Sequence, residues 1–274
     1  MGNGCAGQAS LLRSLLDRQN QFLMCHTSLP AGNGLVTMQH RQEQVAWIIS
    51  SSSRLGLGID TVSGAVAVFD CVLLAARVPV RYVNCVAATC LYLAIKLCEE
   101  CIVHVSDAGR LISRLQLTYS ISELNRMELA ILKRLNWDIR VPAIDKFIDA
   151  MLSTYSYRLL PIRESVECVL SSQLTFKYLP SVLALAIISL LLEYRTKLWF
   201  TFTVELQRFM KIDEAELIAC REDVAEVLGF EDKENLCEYE NIWPALEDSC
   251  FAEYRMKGDV GGMPVLATVL TQQD

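Results

Sequence analysis

Two long apolar stretches dominate the pattern of hydrophobic and polar positions along the chain. The first, from Tyr82 to Glu100, contains neither glycine nor proline and is apolar on nearly every helical side until Lys96. The second, from Tyr178 to Tyr194, has the same character. A helix that is hydrophobic all round belongs in the centre of a bundle. The pattern therefore predicts two buried central helices.

Shorter segments with one apolar face flank both stretches. Their apolar residues recur at intervals of three and four, which is the spacing of one side of a helix. The predicted flanking helices cover 10–24, 38–51, 59–76, 106–115 and 120–137 in the first half, and begin at Pro142, Pro161, Phe202 and Asp213 in the second. Ser120 with Glu123 forms a capping box, and Asp213 with Glu216 forms a second capping pair.

The two halves of the chain match each other. A shift of 96 residues superposes the central stretches, so that Val182 falls on Val86 and Ala184 falls on Ala88. The helices around them follow in the same order of length. Since no segment shows convincing strand alternation, the chain is predicted to be all-α, with two tandem five-helix units.

The predicted organisation has four parts. An N-terminal segment, 1–37, carries one helix and precedes the first five-helix unit, 38–140. The second unit covers 141–230. An acidic, largely irregular tail follows over 231–274.

Composition narrows the class of protein. With 274 residues, 52% of them hydrophobic, the chain can bury a sizeable core. Its formal net charge of −7 argues against sequence-independent binding to nucleic acid, which needs a basic face. The longest uninterrupted apolar run, Ser181 to Leu192, is shorter than the roughly 20 residues of a membrane-spanning helix. We expect no nucleic-acid partner and no membrane span.

Eleven cysteines lie mostly singly within apolar helical segments, where reduced thiols act as small core residues. This usage, together with the lack of a secretory signal, favours the nucleus and cytoplasm.

Residues that could carry catalysis are scarce. The three histidines, His26, His40 and His104, lie near predicted helix ends without a nucleophile at a readable spacing. Cys98 and Cys101 form a lone CxxC pair with no second pair and no nearby pair of histidines. We expect no enzyme activity, no cofactor and no metal site.

Four charged residues interrupt the apolar pattern of the first half, each on a different predicted helix: Arg41, Asp70, Lys96 and Glu128. One interpretation is that they pair with one another as buried or half-buried ion pairs. The other is that some reach the surface, where a lysine can donate to a partner's carbonyls and a glutamate can accept from its amides. The pattern leaves both open, although Leu192 replaces Lys96 in the second half and suggests a contact surface in the first half alone.

Several motifs resemble those of the cyclin family. Leu93–Glu100 is similar to the Leu-Ala-Ser-Lys-Phe-Glu-Glu signature of the cyclin box, and Arg126-Met127-Glu128 resembles the segment that ends it. Phe69-Asp70 resembles part of the family's Asp-Arg-Phe-Leu, and Lys177–Ser181 resembles the second fold's Lys-Tyr-Leu-Pro-Ser. Within the family, Pro180–Leu185 is similar to the G and I types. The resemblance covers Met38 to Leu228 and implies two cyclin folds.

The resemblance implies a non-catalytic regulatory subunit that binds a cyclin-dependent serine/threonine kinase, with or without activating it, and regulates the cell cycle or proliferation. The residues that match the family's kinase contacts are Lys96, Glu128, Leu93, Leu97, Leu132 and Trp137. Arg41 and Asp70 match a structural ion pair that braces helices within the first fold. The alternative is a cyclin-fold scaffold that binds other partners, such as phosphatase regulatory subunits, without activating a kinase.

Two further features qualify this interpretation. The segment His40–Gln44 replaces an apolar substrate-docking patch of the family, so we expect poor recruitment of Arg-x-Leu substrates. In the tail, Lys233, Glu234 and Asn235 form a degron-like triplet, which makes a ubiquitin ligase a candidate partner.

Overall fold

A computed structural model describes residues 3–22, 28–98, 108–152, 161–193, 195 and 199–230, and within that part of the chain there is no β-strand. A 3-10 turn, Val80–Tyr82, precedes the first central helix. The α-helices are Asn3–Phe22 (α1), Met38–Leu55 (α2), Ile59–Ala75 (α3), Val83–Cys98 (α4), Ala108–Leu115 (α5), Ile121–Arg134 (α6), Ile144–Leu152 (α7), Ile162–Ser171 (α8), Leu174–Lys177 (α9), Pro180–Glu193 (α10), Trp199–Met210 (α11) and Glu214–Leu228 (α12).

The all-α prediction is confirmed. Helices α2 to α6 form the first set of five, and α7, α8, α10, α11 and α12 form the second, with the single-turn α9 added before α10. By contacts, the chain divides into two compact units. One comprises Arg18–Lys146 with Arg163–Pro180, and the other takes the described residues within Met1–Asp17, Phe147–Ile162 and Ser181–Asp274. The predicted boundaries at 38, 141 and 231 stay a prediction.

Helix α4 forms the centre of the first unit, where it packs against α2, α3 and α6. Alanine at positions 87, 88 and 94 is buried and lets the neighbouring helices approach closely. Leu91 and Ile95 are at most 1% exposed. Burying a side chain of this size contributes about 1.5–3 kcal/mol. The apolar pattern of this stretch therefore reflects its central place.

By length and composition alone, the segment Val80–Cys98 could cross a membrane. A core helix passes the same test, and 67% of this segment is buried inside the protein. Its apolar character is accounted for by the helices packed around it.

Helix α10 is the second buried centre. Every residue from Ser181 to Leu191 is buried, and the hydroxyl of Ser189 donates to the carbonyl of Ala186 at 2.8 Å. That local hydrogen bond removes the penalty for a hydroxyl in an apolar core.

Local capping follows the sequence closely. The Ser120 hydroxyl accepts from the amide of Glu123, and the Glu123 carboxylate accepts from the amide of Ser120 at 2.8 Å. The Asp213 carboxylate accepts from the amide of Glu216 at 3.2 Å. These hydrogen bonds confirm both predicted caps. Each joins residues three positions apart, which is why the sequence could predict it.

Some helix bounds differ from prediction. Helix α1 begins at Asn3 rather than Ser10. Helix α2 runs four residues beyond Ser51, since the serines at 51 and 52 are buried and Gly56, with φ of 70°, is the residue that ends it in the left-handed region. Helix α7 begins two residues after Pro142. Helix α6 ends at Arg134 rather than Trp137.

Candidate partner-binding groove

An open groove of about 760 Å3 lies on the first unit, within Arg18–Lys146. It gathers all six residues that match the family's kinase contacts: Leu93, Lys96, Leu97, Glu128, Leu132 and Trp137. These residues come from three places in the chain, namely the last turns of α4, the middle of α6 and the segment after α6. We call this cavity the partner groove.

Helical spacing explains how two of the walls form. Leu93, Lys96 and Leu97 are separated by three and four residues, so they share one face of α4. Glu128 and Leu132 are four residues apart and share one face of α6 in the same way. Leu93 is 3% exposed, whereas Leu97 is 47% exposed. The apolar wall therefore runs from the core of the unit to its surface.

An ion pair joins these walls. Nζ of Lys96 donates to Oε1 of Glu128 at 2.7 Å and lies 4.1 Å from the ring centroid of Tyr92, one turn earlier on α4. The Lys96 side chain is 36% exposed and that of Glu128 is 17% exposed. The two charges are held in place and are still accessible from the groove.

The surroundings favour the charged form of Lys96. Partial burial by itself lowers the pKa of the ammonium group, but the hydrogen bond to Glu128 and the contacts with Tyr92 together outweigh it, and the net pKa is raised. A nearby carboxylate stabilises a cation in this way. The groove therefore presents a permanent positive group at neutral pH.

Trp137 lines the groove and is one of its exposed apolar side chains. Asn136 and Trp137 adopt left-handed φ angles of 52° and 62°, and this break ends α6. The amide of Trp137 donates to the carbonyl of Leu132 at 2.7 Å, which closes the turn. As a result, the indole is 65% exposed at the surface. Left-handed backbone in non-glycine residues is strained and concentrates at functional sites.

Sequence reasoning missed the remaining lining residues, which are Arg18, Asp138, Ile139 and Arg140. The Arg18 guanidinium, on α1, donates to the carboxylate of Asp138 and, at 3.2 Å, to the carbonyl of Arg140. About 120 residues separate these partners in the chain. No periodicity or motif signals such a contact.

Arg41 and Asp70 lie outside the groove, in the interior of the same unit. The Arg41 side chain is fully buried and its guanidinium binds the Asp70 carboxylate through two bonds, of 2.9 and 2.7 Å. Its remaining N–H groups reach the carbonyls of Leu170 and Ser172, both at 2.7 Å, and the hydroxyl of Thr175 at 3.1 Å. All five donors of Arg41 are therefore used within the unit.

This arrangement ties α2 and α3 to the turn between α8 and α9. The sequence indicated the Arg41–Asp70 pair through the resemblance but contained no signal for Leu170, Ser172 or Thr175. A buried guanidinium needs acceptors for all of its donors, yet their positions depend on how the chain folds back.

In the described residues, the cysteines at 71, 85, 90, 98, 168 and 220 form no disulfide bond. Burial, followed by the charge of Asp70, raises the pKa of the Cys71 thiol, so it stays protonated. His40 accepts from the amide of Thr37 as part of the α2 cap.

The described part of the chain contains no cluster of three or more His, Cys, Asp or Glu suited to a metal ion. His26, His104, Cys101 and the triplet Lys233, Glu234 and Asn235 lie outside the described residues.

Comparisons with known proteins agree with this architecture. The family profile described as "Cyclin, N-terminal domain" matches residues 10–140. Cyclin-G1 of Bos taurus is 30% identical over 229 residues, which cover 77% of this chain and 75% of that protein. Cyclin-I2 of Homo sapiens is 29% identical over 206 residues, which cover 68% of this chain and 55% of that protein.

The fold has a solved counterpart. A viral cyclin from herpesvirus saimiri superposes with a TM-score of 0.64 over 81% of this chain and all of that one, at 16% identity. The predicted resemblance to the G and I types is confirmed by the related sequences. The chain therefore belongs to the cyclin family, whose members are generally non-catalytic regulatory proteins.

Proposed function

We propose that this cyclin binds a cyclin-dependent serine/threonine kinase through the partner groove, and that it thereby regulates the cell cycle or proliferation. The observation that supports this most directly is the convergence of six residues from α4, α6 and the segment after α6 on one groove, which the Lys96–Glu128 ion pair lines. We propose that the protein acts in the nucleus and cytoplasm, where buried thiols remain reduced.

The chemistry of the groove suits a helix and loop of a partner. The Lys96 ammonium can donate to carbonyls at the end of a partner helix, and the Glu128 carboxylate can accept from amides at the start of a partner segment. Leu97 and Trp137 line the same groove and supply exposed apolar surface, since they are 47% and 65% exposed respectively. Apolar anchors around a polar centre are the usual composition of a binding hot spot.

The cyclin would regulate the kinase by binding its active conformation more tightly than its inactive ones. A kinase is active when its conserved lysine–glutamate pair is assembled, which depends on the position of its regulatory helix. A subunit that binds this arrangement more tightly than the alternatives shifts the kinase population toward it. The proposed role therefore requires a surface that holds the kinase and no catalytic residue in the cyclin.

Substrate docking by the first fold is expected to be poor. Gln42 and Glu43 are exposed on α2, where the family's docking members have apolar side chains, and the Gln39 amide donates to Glu43 at 3.2 Å. A hydrogen-bonded polar face gives no pocket for the leucine of an Arg-x-Leu motif.

A charge-swap variant tests the proposal. In the double substitution Lys96→Glu, Glu128→Arg the ion pair can still form, but the groove presents each charge at the other's position. Wild type, expressed in proliferating cells and affinity-purified, should recover an active serine/threonine kinase. The variant should lose most of this kinase activity while keeping its thermal unfolding midpoint.

Arg163 and Glu167 on α8 provide a matched control. Their ion pair is 2.9 Å long, and its side chains are 37% and 20% exposed, close to the values of the groove pair. The swap Arg163→Glu, Glu167→Arg should leave kinase recovery unchanged. If the groove variant recovers the same kinase as wild type, the proposal fails. If wild type recovers phosphatase subunits and no kinase, the scaffold alternative replaces it.

A further inference from the structure

One wall of the partner groove, Trp137–Arg140, belongs to no helix. We call it the Trp137 segment. Its first two amides are held by the end of α6 and the residue that follows it, since Trp137 donates to Leu132 at 2.7 Å and Asp138 donates to Leu135 at 2.9 Å. Past Asp138 the segment leaves α6. Its position there depends on contacts with other parts of the unit.

Arg18 of α1 supplies such a contact. Its guanidinium bonds to the Asp138 carboxylate through Nη2 and to the Arg140 carbonyl through Nε, so a single rigid group spans three consecutive residues. The same guanidinium lies over the ring of Phe22 on its own helix, with its central carbon 5.4 Å from the ring centroid. A planar fork that bonds to two acceptors fixes their separation, which a lysine ammonium does not do.

The exposure of the Arg18–Asp138 ion pair limits its contribution to folding stability. The side chains of Arg18 and Asp138 are 34% and 44% exposed. Ion pairs at such positions contribute about 0–1 kcal/mol to folding stability. The contact is therefore better suited to fixing the conformation of a short segment than to holding the fold together.

The backbone of the turn that leads into the Trp137 segment is strained. Asn136 and Trp137 are both in the left-handed region, and the indole of Trp137 projects from the segment at 65% exposure. Strained conformations persist where the surrounding contacts enforce them. The contacts of Arg18 with Asp138 and Arg140 come directly after this turn in the chain.

We propose that Arg18 is a positioning residue of the partner groove, which makes the end of α1, from Arg18 to Phe22, part of the binding site. It holds the Trp137 segment in the shape that a partner recognises and so reduces the ordering that binding would otherwise require. The inference rests on the proposed function for the identity of the partner. The position of the segment itself can be measured without one.

The test uses the full chain, four variants that are compared with wild type, and a fifth for assignment of the NMR signal. Arg18→Ala removes the guanidinium, Arg18→Lys keeps the charge without the fork, and Asp138→Asn removes the charge of the acceptor. Arg13→Ala is the control, because Arg13 lies on the same helix with its guanidinium carbon 5.4 Å from the Phe209 ring centroid. The measurements are hydrogen exchange of the amides from Trp137 to Arg140, the 19F NMR signal of fluorinated Trp137, assigned with Trp137→Phe, and kinase affinity.

Arg18→Ala should speed exchange in the segment by about tenfold and shift the Trp137 signal, with an unchanged rate in α4. Kinase affinity should fall by about tenfold, since the partner must then order the segment. Arg18→Lys and Asp138→Asn should give smaller changes in the same direction. Arg13→Ala should match wild type in all three measurements.

Two results would overturn the inference. One is an unchanged exchange rate and 19F signal in Arg18→Ala. The other is a loss of kinase affinity in Arg18→Ala that is fully explained by the fraction of the variant that is unfolded. An equal loss of affinity in Arg13→Ala would count in the same way. Absence of kinase binding in wild type contradicts the proposed function, whereas the exchange and 19F measurements still decide the role of Arg18.

Discussion

Two ion pairs in the same unit have nearly the same bond length and opposite surroundings. Arg41–Asp70 and Lys96–Glu128 each join two helices at 2.7 Å. The side chains of the first pair are 0% and 7% exposed, and those of the second are 36% and 17% exposed. The first lies among α2, α3 and the turn before α9, whereas the second lies in the partner groove.

The difference shows that burial and donor use separate a structural role from a binding role. All five N–H groups of Arg41 are donated to groups of its own unit, which leaves nothing for a partner. Lys96 is anchored by Glu128 and Tyr92 but remains accessible. A buried pair is strongly destabilising when it is broken, whereas an exposed pair contributes little to folding.

Removing the buried cation should have the largest effect. Arg41→Ala leaves the Asp70 carboxylate buried without its main partner and should lower the free energy of unfolding by about 3–5 kcal/mol. Chemical denaturation measures this loss. Arg54→Ala, an exposed arginine at the end of the same helix, should change it by less than about 1 kcal/mol. Equal effects of the two substitutions would contradict the structural role of Arg41.

Replacing the Arg41 guanidinium with an ammonium group, which keeps the charge, should have a smaller effect on stability. A lysine at position 41 has three donors for acceptors that now take five hydrogen bonds. Arg41→Lys should therefore lower the free energy of unfolding by about 1–3 kcal/mol, through buried acceptors left unpaired. A variant as stable as wild type would show that charge alone matters at this site.

A double-mutant cycle compares the two pairs directly. For Lys96→Met and Glu128→Gln, the coupling energy in folding should be about 0–1 kcal/mol, as expected for an exposed pair. The corresponding cycle for Arg41→Met and Asp70→Asn should give a clearly larger value, measured by the same denaturation assay. Comparable couplings would remove the distinction drawn from burial.

The smallest expected effect is a pH dependence. The folded-state pKa of Lys96 is raised above 10.5, chiefly by Glu128 acting against the effect of burial. Its contribution to stability is therefore present below pH 10.5 and is lost as pH rises through the folded pKa. The difference in stability between wild type and Lys96→Met should shrink above pH 10.5. The same comparison in a Glu128→Gln background should lack this trend, and its persistence there would contradict the role of the ion pair.

Local features of the fold could be predicted from the sequence. The central helices α4 and α10 were identifiable because a long run without polar interruption has one stable place, the centre of a bundle. The caps at Ser120 and Asp213 were identifiable because their bonding partners lie three residues away. The end of α6 was missed, because Asn136 is a weaker helix-ending signal than glycine and Trp137 carries no such signal for its left-handed backbone.

The groove could be predicted only in part. Lys96 and Glu128 stood out as charges on apolar helices, and the resemblance to cyclins supplied Leu93, Leu97, Leu132 and Trp137. Arg18 was missed because its partners Asp138 and Arg140 are 120 and 122 residues away. The sequence around Arg18 predicts only an amphipathic helix.

The sequence by itself determined where the helices lie, which stretches are central, how several helices begin, and which charged residues break the apolar pattern. Only the tertiary structure decided that Arg41 gives all its donors to the interior, that Lys96 stays accessible beside Glu128, and that Arg18 reaches the Trp137 segment. The physical reason is the separation in sequence between the residues that interact. Helix periodicity and capping depend on residues within a few positions of each other. Burial and ion pairing depend on segments that meet only after the chain has folded back, over 29 residues for Arg41–Asp70, 32 for Lys96–Glu128 and 120 for Arg18–Asp138.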